Sequence, residues 1–381
     1  MTRRERVFRY FQSLKHGGEL ASLAKILAVD SSEIIDFSQN INPFAPQAEI
    51  VSAIAAALGE IKNYPDGRLT QLRSLIAQKH GVEQASVILG NGASELIFRL
   101  AFALQSVVTE TAAYLPEPNF SEYERAFKNA NWSLIKGLAL GADLLAEWPA
   151  ETSVSLLCHP NNPTGKLLEP DVLEDLLLEA RSRQGLLVLD QCFIDFLPAA
   201  LRARYDALGI AYRVGAQENL LSIHSLTKFF GIAGLRLGYL LVPERQLARR
   251  LEELAPAWPL NTLAEAAGLA ALQMPEESLE AEREAIASLR EELVAGLKGL
   301  NDNYGRELFK NISGTVNFIY FESEIEELAA ELALHQPVIL IRSLRNYRGL
   351  PSQAYRVAVK RAEEISILLS ALDELATTCL H

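Results

Sequence analysis

The stretch SIHSLTKFFGIAGLRLGYLL, Ser222–Leu241, decides how the rest of the chain is read. It holds one lysine, Lys228, among apolar residues, and Gly231, Gly234 and Gly238 follow it. A lysine is rarely buried without a partner, so its amine either snorkels to solvent or is held in a closed pocket for chemistry. Ser225, Thr227 and Arg236 flank it. Two hydroxyls and a guanidinium around one lysine suit a phosphate beside a reactive amine. A structural lysine–aspartate pair is the plainer alternative.

Outward from this stretch, short apolar runs alternate with amphipathic ones from about Gln47 to Val242. Candidate strands are SVIL, TAAYLP, WSLIK, VSLLCHP, GLLVLD, NLLSIHS and LRLGYLLV. Strands of this composition separated by helices predict a mostly parallel seven-stranded sheet covered on both faces. Helices are expected near Asn261–Gln273 and Glu277–Leu300. The strands TVNFIYF, PVILIRS and AYRVAVK follow, interleaved with helices at Ile325–Leu334 and Arg361–Thr377. The first residues read as an arm: a helix around Leu20–Val29, then the extended, proline-terminated IIDFSQNINPFAP. The expected fold is thus α/β in three parts. Residues 1–46 are an arm packing with the small domain, 47–268 a large ligand-binding domain, and 269–381 a smaller C-terminal α/β domain.

At 381 residues, two domains are the default. The formal net charge of −12 disfavours nucleic acid and acidic membrane surfaces as general partners. An anionic small molecule can still bind at a local cluster of arginines or at a helix N-terminus. Three cysteines, none in a C-x-x-C pair, argue against a disulfide framework and lead us to expect a cytoplasmic protein. The basic start MTRRERVFRYFQSLKHGGEL has no long apolar segment behind its charges, so no secretory signal is expected. No uninterrupted apolar run approaches the length of a membrane span.

Open α/β sheets bind ligands just beyond their strand ends, so those segments come next. VILGNGASELIF is a strand, a glycine turn and a helix, placing Gly92, Ala93 and Ser94 at a helix N-terminus suited to an anion; a tight turn with a serine cap is the alternative. It lacks the third glycine of a dinucleotide fingerprint and is no P-loop. LLCHPNNPTGKLL makes a turn whose Asn162 offers a side-chain amide. GLLVLDQCFIDF sets Asp190 at the end of an apolar strand, where an acid is costly unless paired. YLPEPNFSEYERAF puts Phe120 on a loop, able to stack on a flat ring or to join the core.

Together these pieces match one ligand. A pyridine ring with an aldehyde and a phosphate needs an acid at its nitrogen, an aromatic face, a donor at its phenolic oxygen, an anion site and a lysine. Asp190, Phe120, Asn162, the Gly92–Ser94 turn with Ser225, Thr227 and Arg236, and Lys228 fill those roles. Lys228 therefore reads as the Schiff-base lysine of a pyridoxal 5′-phosphate enzyme.

The segments YPDG, LGNGASE, HPNNPTG, D-x-x-F and S-x-T-K-x-x-G-x-A-G-x-R-x-G, in this order, resemble the fold-type-I pyridoxal-phosphate enzymes of the class I/II aminotransferase group. Histidinol-phosphate aminotransferases belong to that group. HGG at 16–18, DFSQNINP at Asp36–Pro43 and IRSLRNYRGL before YRVAVK are most similar to the threonine-phosphate decarboxylases of cobalamin biosynthesis. The resemblance implies decarboxylation of L-threonine O-3-phosphate, with an aminotransferase such as one acting on histidinol phosphate as the alternative. It further implies a homodimer with shared sites, in which Tyr64 reaches the partner's cofactor phosphate. Arg356 would grip the substrate carboxylate, Arg342 and His16 its phosphate, and Asn42 would line the entrance. Three departures stand out. Gln191 and Cys192 replace the usual Glu-Ala after the acid, with Phe193 where many relatives have tyrosine. Glu19 follows HGG, and IRSLRNYRGL lacks an Asp-Cys pair after its first arginine.

Overall fold

Buried on both faces, VSLLC, LLVLD and LLSIHS are stable only where helices cover a sheet from two sides. The structure, a computed structural model, describes residues 1–13, 19–108, 110–138, 143–206 and 219–380. Its strands are β1 (Ile34–Asp36), β2 (Val87–Gly90), β3 (Ala112–Tyr114), β4 (Ser133–Ile135), β5 (Val154–Cys158), β6 (Leu186–Asp190) and β7 (Leu220–Ser225). They continue as β8 (Gly238–Leu241), β9 (Phe309–Ser313), β10 (Phe318–Ser323), β11 (Val338–Leu340), β12 (Arg342–Ser343) and β13 (Ala354–Ala358). Two compact units contain them. The larger comprises Phe44–Asn162 and Leu167–Arg283; the smaller comprises Met1–Pro43, Pro163–Lys166 and Glu284–His381.

The large unit holds a seven-stranded sheet in the order β2-β8-β7-β6-β5-β3-β4. β8 runs antiparallel to both neighbours, and the remaining pairings are parallel. β2, β3, β5, β6 and β7 therefore share one direction, and the segments that follow them leave from the same edge. Those segments carry Gly92–Ser94, Phe120, Asn162, Asp190 (which ends β6) and Lys228. The register sets Cys158 of β5 beside Asp190 of β6. On one face Ile88, Leu156, Val188, Ile223 and Leu240 pack with Leu96, Leu100 and Phe127 in one buried cluster. Each such side chain contributes about 1.5–3 kcal/mol on burial.

Alternation along β7 and β8 sends His224 and Tyr239 the other way. Their rings stack at 4.7 Å and 8°. Tyr239 OH lies 2.9 Å from His80 Nε2, and Ser222 Oγ lies 2.8 Å from His224 Nε2. Burial pushes His224 down to about 3 and His80 well below the ordinary histidine value.

The small unit combines an antiparallel sheet, β12-β13-β10-β9, with the parallel pair β1-β11. Its core joins Val7, Phe11, Leu23 and Phe37 to Leu297, Phe321, Ile339 and Leu372. PVILIRS, expected as one strand, is two. Phe37 is the reason: its N–H donates to the Leu340 carbonyl at 2.8 Å, while its own carbonyl accepts from Ala358 N–H at 2.8 Å. The chain leaves β1 after Leu340, passes through the fully buried Ile341 and pairs with β13 from Arg342 onward.

Several described elements have no counterpart in the sequence reading, the helix Arg245–Glu253 among them. The helix Arg3–Ser13 buries Val7, Tyr10 and Phe11, a three-four spacing on one face. β9 is a half-exposed edge strand whose Lys310 and Asn311 give it little strand signal. Among the described residues no helix is long and apolar enough to cross a membrane.

Candidate active site

Asp190 closes β6 with only 4% of its surface exposed. Tyr123 OH donates to its Oδ2 at 2.6 Å, and the Cys192 backbone N–H donates to its Oδ1 at 3.0 Å. Burial pushes the carboxyl above its ordinary value; Cys192, Tyr123 and the charge of Lys228 pull the other way. An acid in that balance gains when a cation comes to it, which fits a protonated ring nitrogen. Tyr123 was not among the sequence candidates. The signal was its place three residues after Phe120, on the first turn of the helix Glu122–Asn129. The half-buried Phe120 meets the Tyr123 ring edge-on, centroids 5.7 Å apart.

The proposed anion cradle is built by backbone. The helix Gly92–Leu104 begins without a side-chain cap from Asn91, leaving first-turn N–H groups available. Gly92 has φ +82°, and a Cβ there would lie 2.5 Å from Arg236 Nη2. A Cβ on Gly238 would meet Ala93 N at 2.7 Å, so β8 and the helix start touch through glycine alone. Arg236, itself at φ +62°, donates from Nη1 to the Ala233 carbonyl at 3.1 Å. A guanidinium against the positive end of a helix favours an anion between them. Ser225 Oγ and Thr227 Oγ1, both buried, are 2.7 Å apart. Lys228 follows, half-buried between buried Thr227 and Phe229. The donor set and the glycine cradle fit a pyridoxal 5′-phosphate.

Asn162 is half-buried, and its backbone N–H donates to Cys158 Sγ at 3.3 Å. Phe193 is 5% exposed, its ring tilted by 31° against that of Phe196 with centroids 6.2 Å apart. Tyr64 is 78% exposed and lies flat on Trp258, centroids 4.1 Å apart.

In the small unit, Arg342 of β12 faces Arg356 of β13 directly across an antiparallel pair. Both are buried, at 1% and 6% exposure. Arg356 Nη2 donates to the Ser38 carbonyl at 3.0 Å, and its guanidinium stands 5.3 Å from the Phe318 ring centroid. Arg342 Nη2 donates to Asn346 Oδ1 at 3.0 Å, its guanidinium 5.7 Å from the Tyr347 ring. Burial above all, with the neighbouring Arg342 charge adding to it, brings Arg356 down to about 10. Asn42 is buried on the arm segment that also carries Ser38. His16 lies outside the described residues. Asn346 and Tyr347 escaped the sequence reading, which looked for an acid after Arg342.

A profile described as aminotransferase class I and II matches residues 32–372. The chain is 32% identical to the threonine-phosphate decarboxylase of Salmonella typhimurium, over 95% of this chain and 96% of that protein. It is 29% identical to histidinol-phosphate aminotransferase 2 of Pseudomonas aeruginosa, over 94% of each. The histidinol-phosphate aminotransferase of Sinorhizobium meliloti in complex with pyridoxal-5′-phosphate superposes with a TM-score of 0.77, at 20% identity, covering 97% of this chain and 96% of that one.

Proposed function

The chain belongs to the aminotransferase class I and II family and uses pyridoxal 5′-phosphate, and we propose that it decarboxylates L-threonine O-3-phosphate to (R)-1-amino-2-propanol O-2-phosphate in cobalamin biosynthesis. When bound, that cofactor supplies an electron-withdrawing ring that takes up the electron pair left at Cα as one of its bonds breaks. Lys228 Nζ would hold the cofactor at its aldehyde carbon. Asp190 keeps the proton on the ring nitrogen, and Tyr123 and Cys192 hold that carboxylate still. Asn162 serves the ring oxygen alone, since Phe193 has no hydroxyl to offer. Phe120 covers the ring face. The phosphate falls to Gly92, Ala93, Ser94, Ser225, Thr227 and Arg236, with Tyr64 contributed across a homodimer.

The observation that carries the substrate class is the buried pair Arg342–Arg356. Two buried arginines directly opposite each other on paired strands suit a short substrate with two anionic groups on neighbouring carbons. Arg356 takes the carboxylate, Arg342 and His16 the phosphate, and Asn42 lines the entrance. Held at both ends, the substrate turns about its Cα–N bond within one narrow range. Carbon dioxide leaves, and Cα receives a proton in its place. Histidinol phosphate offers no carboxylate, which leaves Arg356 without its anion; the similarity to histidinol-phosphate aminotransferases nevertheless makes transamination the second reading. Incubation of the holoenzyme with threonine phosphate, and separately with histidinol phosphate plus a keto acid, tests the choice. Aminopropanol phosphate from the first and nothing from the second is expected. Turnover of histidinol phosphate alone would overturn the proposal.

A further inference from the structure

The helix that opens the anion cradle carries an acid in its first turn, the wrong charge for a neighbour of phosphate. Glu95 follows Gly92, Ala93 and Ser94 directly. A carboxylate at a helix N-terminus competes with a bound anion for the same N–H groups. Here it is drawn aside. Its Oε2 accepts the Asn91 N–H, ahead of the helix, at 3.2 Å. Arg99, one turn further on, donates from Nη2 to the same oxygen at 3.1 Å, and its Nε stands 3.1 Å from Oε1. Arg99 is buried, and its Nη2 also donates to the Leu89 carbonyl of β2 at 2.6 Å. Gly90, the last residue of β2, makes the room. A Cβ there would collide with Glu95 Oε2 and lie 2.6 Å from Leu96 Cδ2 and 2.7 Å from Arg99 Nη2.

We propose that Glu95 and Arg99 are positioning residues: together they set the turn from Leu89 to Gly92, so that the first-turn N–H groups are presented to the cofactor phosphate while the acid is held off it. The inference rests on the reading of Gly92, Ala93 and Ser94 as the phosphate cradle. The contacts close a ring through Leu89 on the strand, Asn91 before the helix, and Glu95 and Arg99 on its first two turns. The turn they enclose holds Gly92 at φ +82° and meets β8 through Gly238, which leaves its peptides little freedom. Arg99 also supplies charge. Burial pushes the Glu95 carboxyl above its ordinary value, and Arg99 and the Asn91 N–H oppose that. Without the guanidinium, the carboxylate is free to swing to the helix start and meet the phosphate as a like charge.

The test compares two ligands on the full chain. Pyridoxal 5′-phosphate and pyridoxal share ring and aldehyde, and only the first has a phosphate; titration by the visible band of the bound ring gives a dissociation constant for each. Their ratio reads the phosphate contacts and cancels a general loosening of the ring pocket. Arg99→Met should lower the preference for the phosphorylated ligand about tenfold, the worth of one strong hydrogen bond, with pyridoxal binding changed less than about twofold. Arg99→Lys, which keeps the charge, should recover at least half of that loss. Gly90→Ala displaces the pair without altering any charge and should lower the preference by roughly threefold or more; it carries the test should Arg99→Met fold poorly. A preference unchanged in both Arg99→Met and Gly90→Ala, while Arg236→Met still lowers it, would overturn the inference alone. Equal loss for the two ligands would reduce the pair to a structural tie and overturn it as well. If Arg236→Met leaves the preference unchanged, the reading of the cradle itself falls, and the role of Glu95 and Arg99 falls with it.

Discussion

Charge is arranged differently in the two units. In the large unit, Asp190 and Lys228 have opposite signs, and the lysine's charge opposes the burial that pushes the acid up. Donors from Tyr123 and Cys192 already point at the carboxylate. In the small unit, Arg342 and Arg356 have the same sign and face each other across two strands. Carbonyl and amide oxygens and two aromatic rings support them there. The first arrangement is set before any ligand binds; the second gains most from an incoming anion. Substitutions in the two units should therefore fail in different ways.

Lys228→Ala is the harshest test of the first arrangement. It should abolish borohydride fixation of the cofactor on the chain and lower turnover by roughly 10⁴-fold. Labelling that persists in this variant removes the lysine from its role. Asp190→Ala should come next, lowering kcat by roughly 10²–10³-fold and weakening cofactor binding, because the ring nitrogen loses its anion. Near-normal turnover would take Asp190 out of the mechanism.

The second arrangement breaks through substrate. Arg356→Lys would lose the bidentate grip proposed for the carboxylate and should reduce kcat/KM by about 10–10²-fold while the cofactor band stays unchanged. A changed band with unchanged kcat/KM would erase the contrast between the units. Inorganic phosphate should raise the melting temperature of the holoenzyme, and an Arg342→Met, Arg356→Met double variant should lose most of that rise. An equal rise in both proteins would assign the phosphate to the other unit.

A smaller effect concerns acid. His224 is neutral in the fold with its value near 3, against about 6.5 unfolded, so its contribution is complete above about pH 6.5 and is lost as pH falls toward 3. Asp195, held near 2 by Lys79, Arg283 and His224, loses its contribution in the same direction, below about pH 4. Melting temperature should decline between pH 6.5 and 4, and His224→Gln should flatten that slope. An unchanged slope would show that the buried histidine is not titrating.

How far these features could be read from sequence follows the same division. The strands of the large sheet announce themselves as apolar runs, and the ligand segments sit where chain direction turns, so Lys228, Asp190, Asn162 and Gly92 could be picked out by residue type and position. Tyr123 carried only its spacing from Phe120 as a signal, because a tyrosine inside EYERAF reads as core until Asp190 is seen 2.6 Å away. In the small unit Arg342 and Arg356 were legible, but their mutual facing was not. That depends on Phe37 ending one pairing at Leu340 and supporting another at Ala358, a long-range event no local pattern encodes. The Arg3–Ser13 helix was hidden by its charges, although Val7, Tyr10 and Phe11 mark its buried face.

In the proposed reaction the bond broken at Cα is the one to the carboxylate. Turnover of threonine phosphate in deuterium oxide reads that bond directly. A decarboxylase keeps the substrate's own Cα hydrogen and adds one deuteron where carbon dioxide left. Aminopropanol phosphate with one deuterium on its amino-bearing carbon is expected, together with recovered substrate without label. Deuterium at Cα of recovered threonine phosphate, with a keto acid in place of the amine, would contradict it.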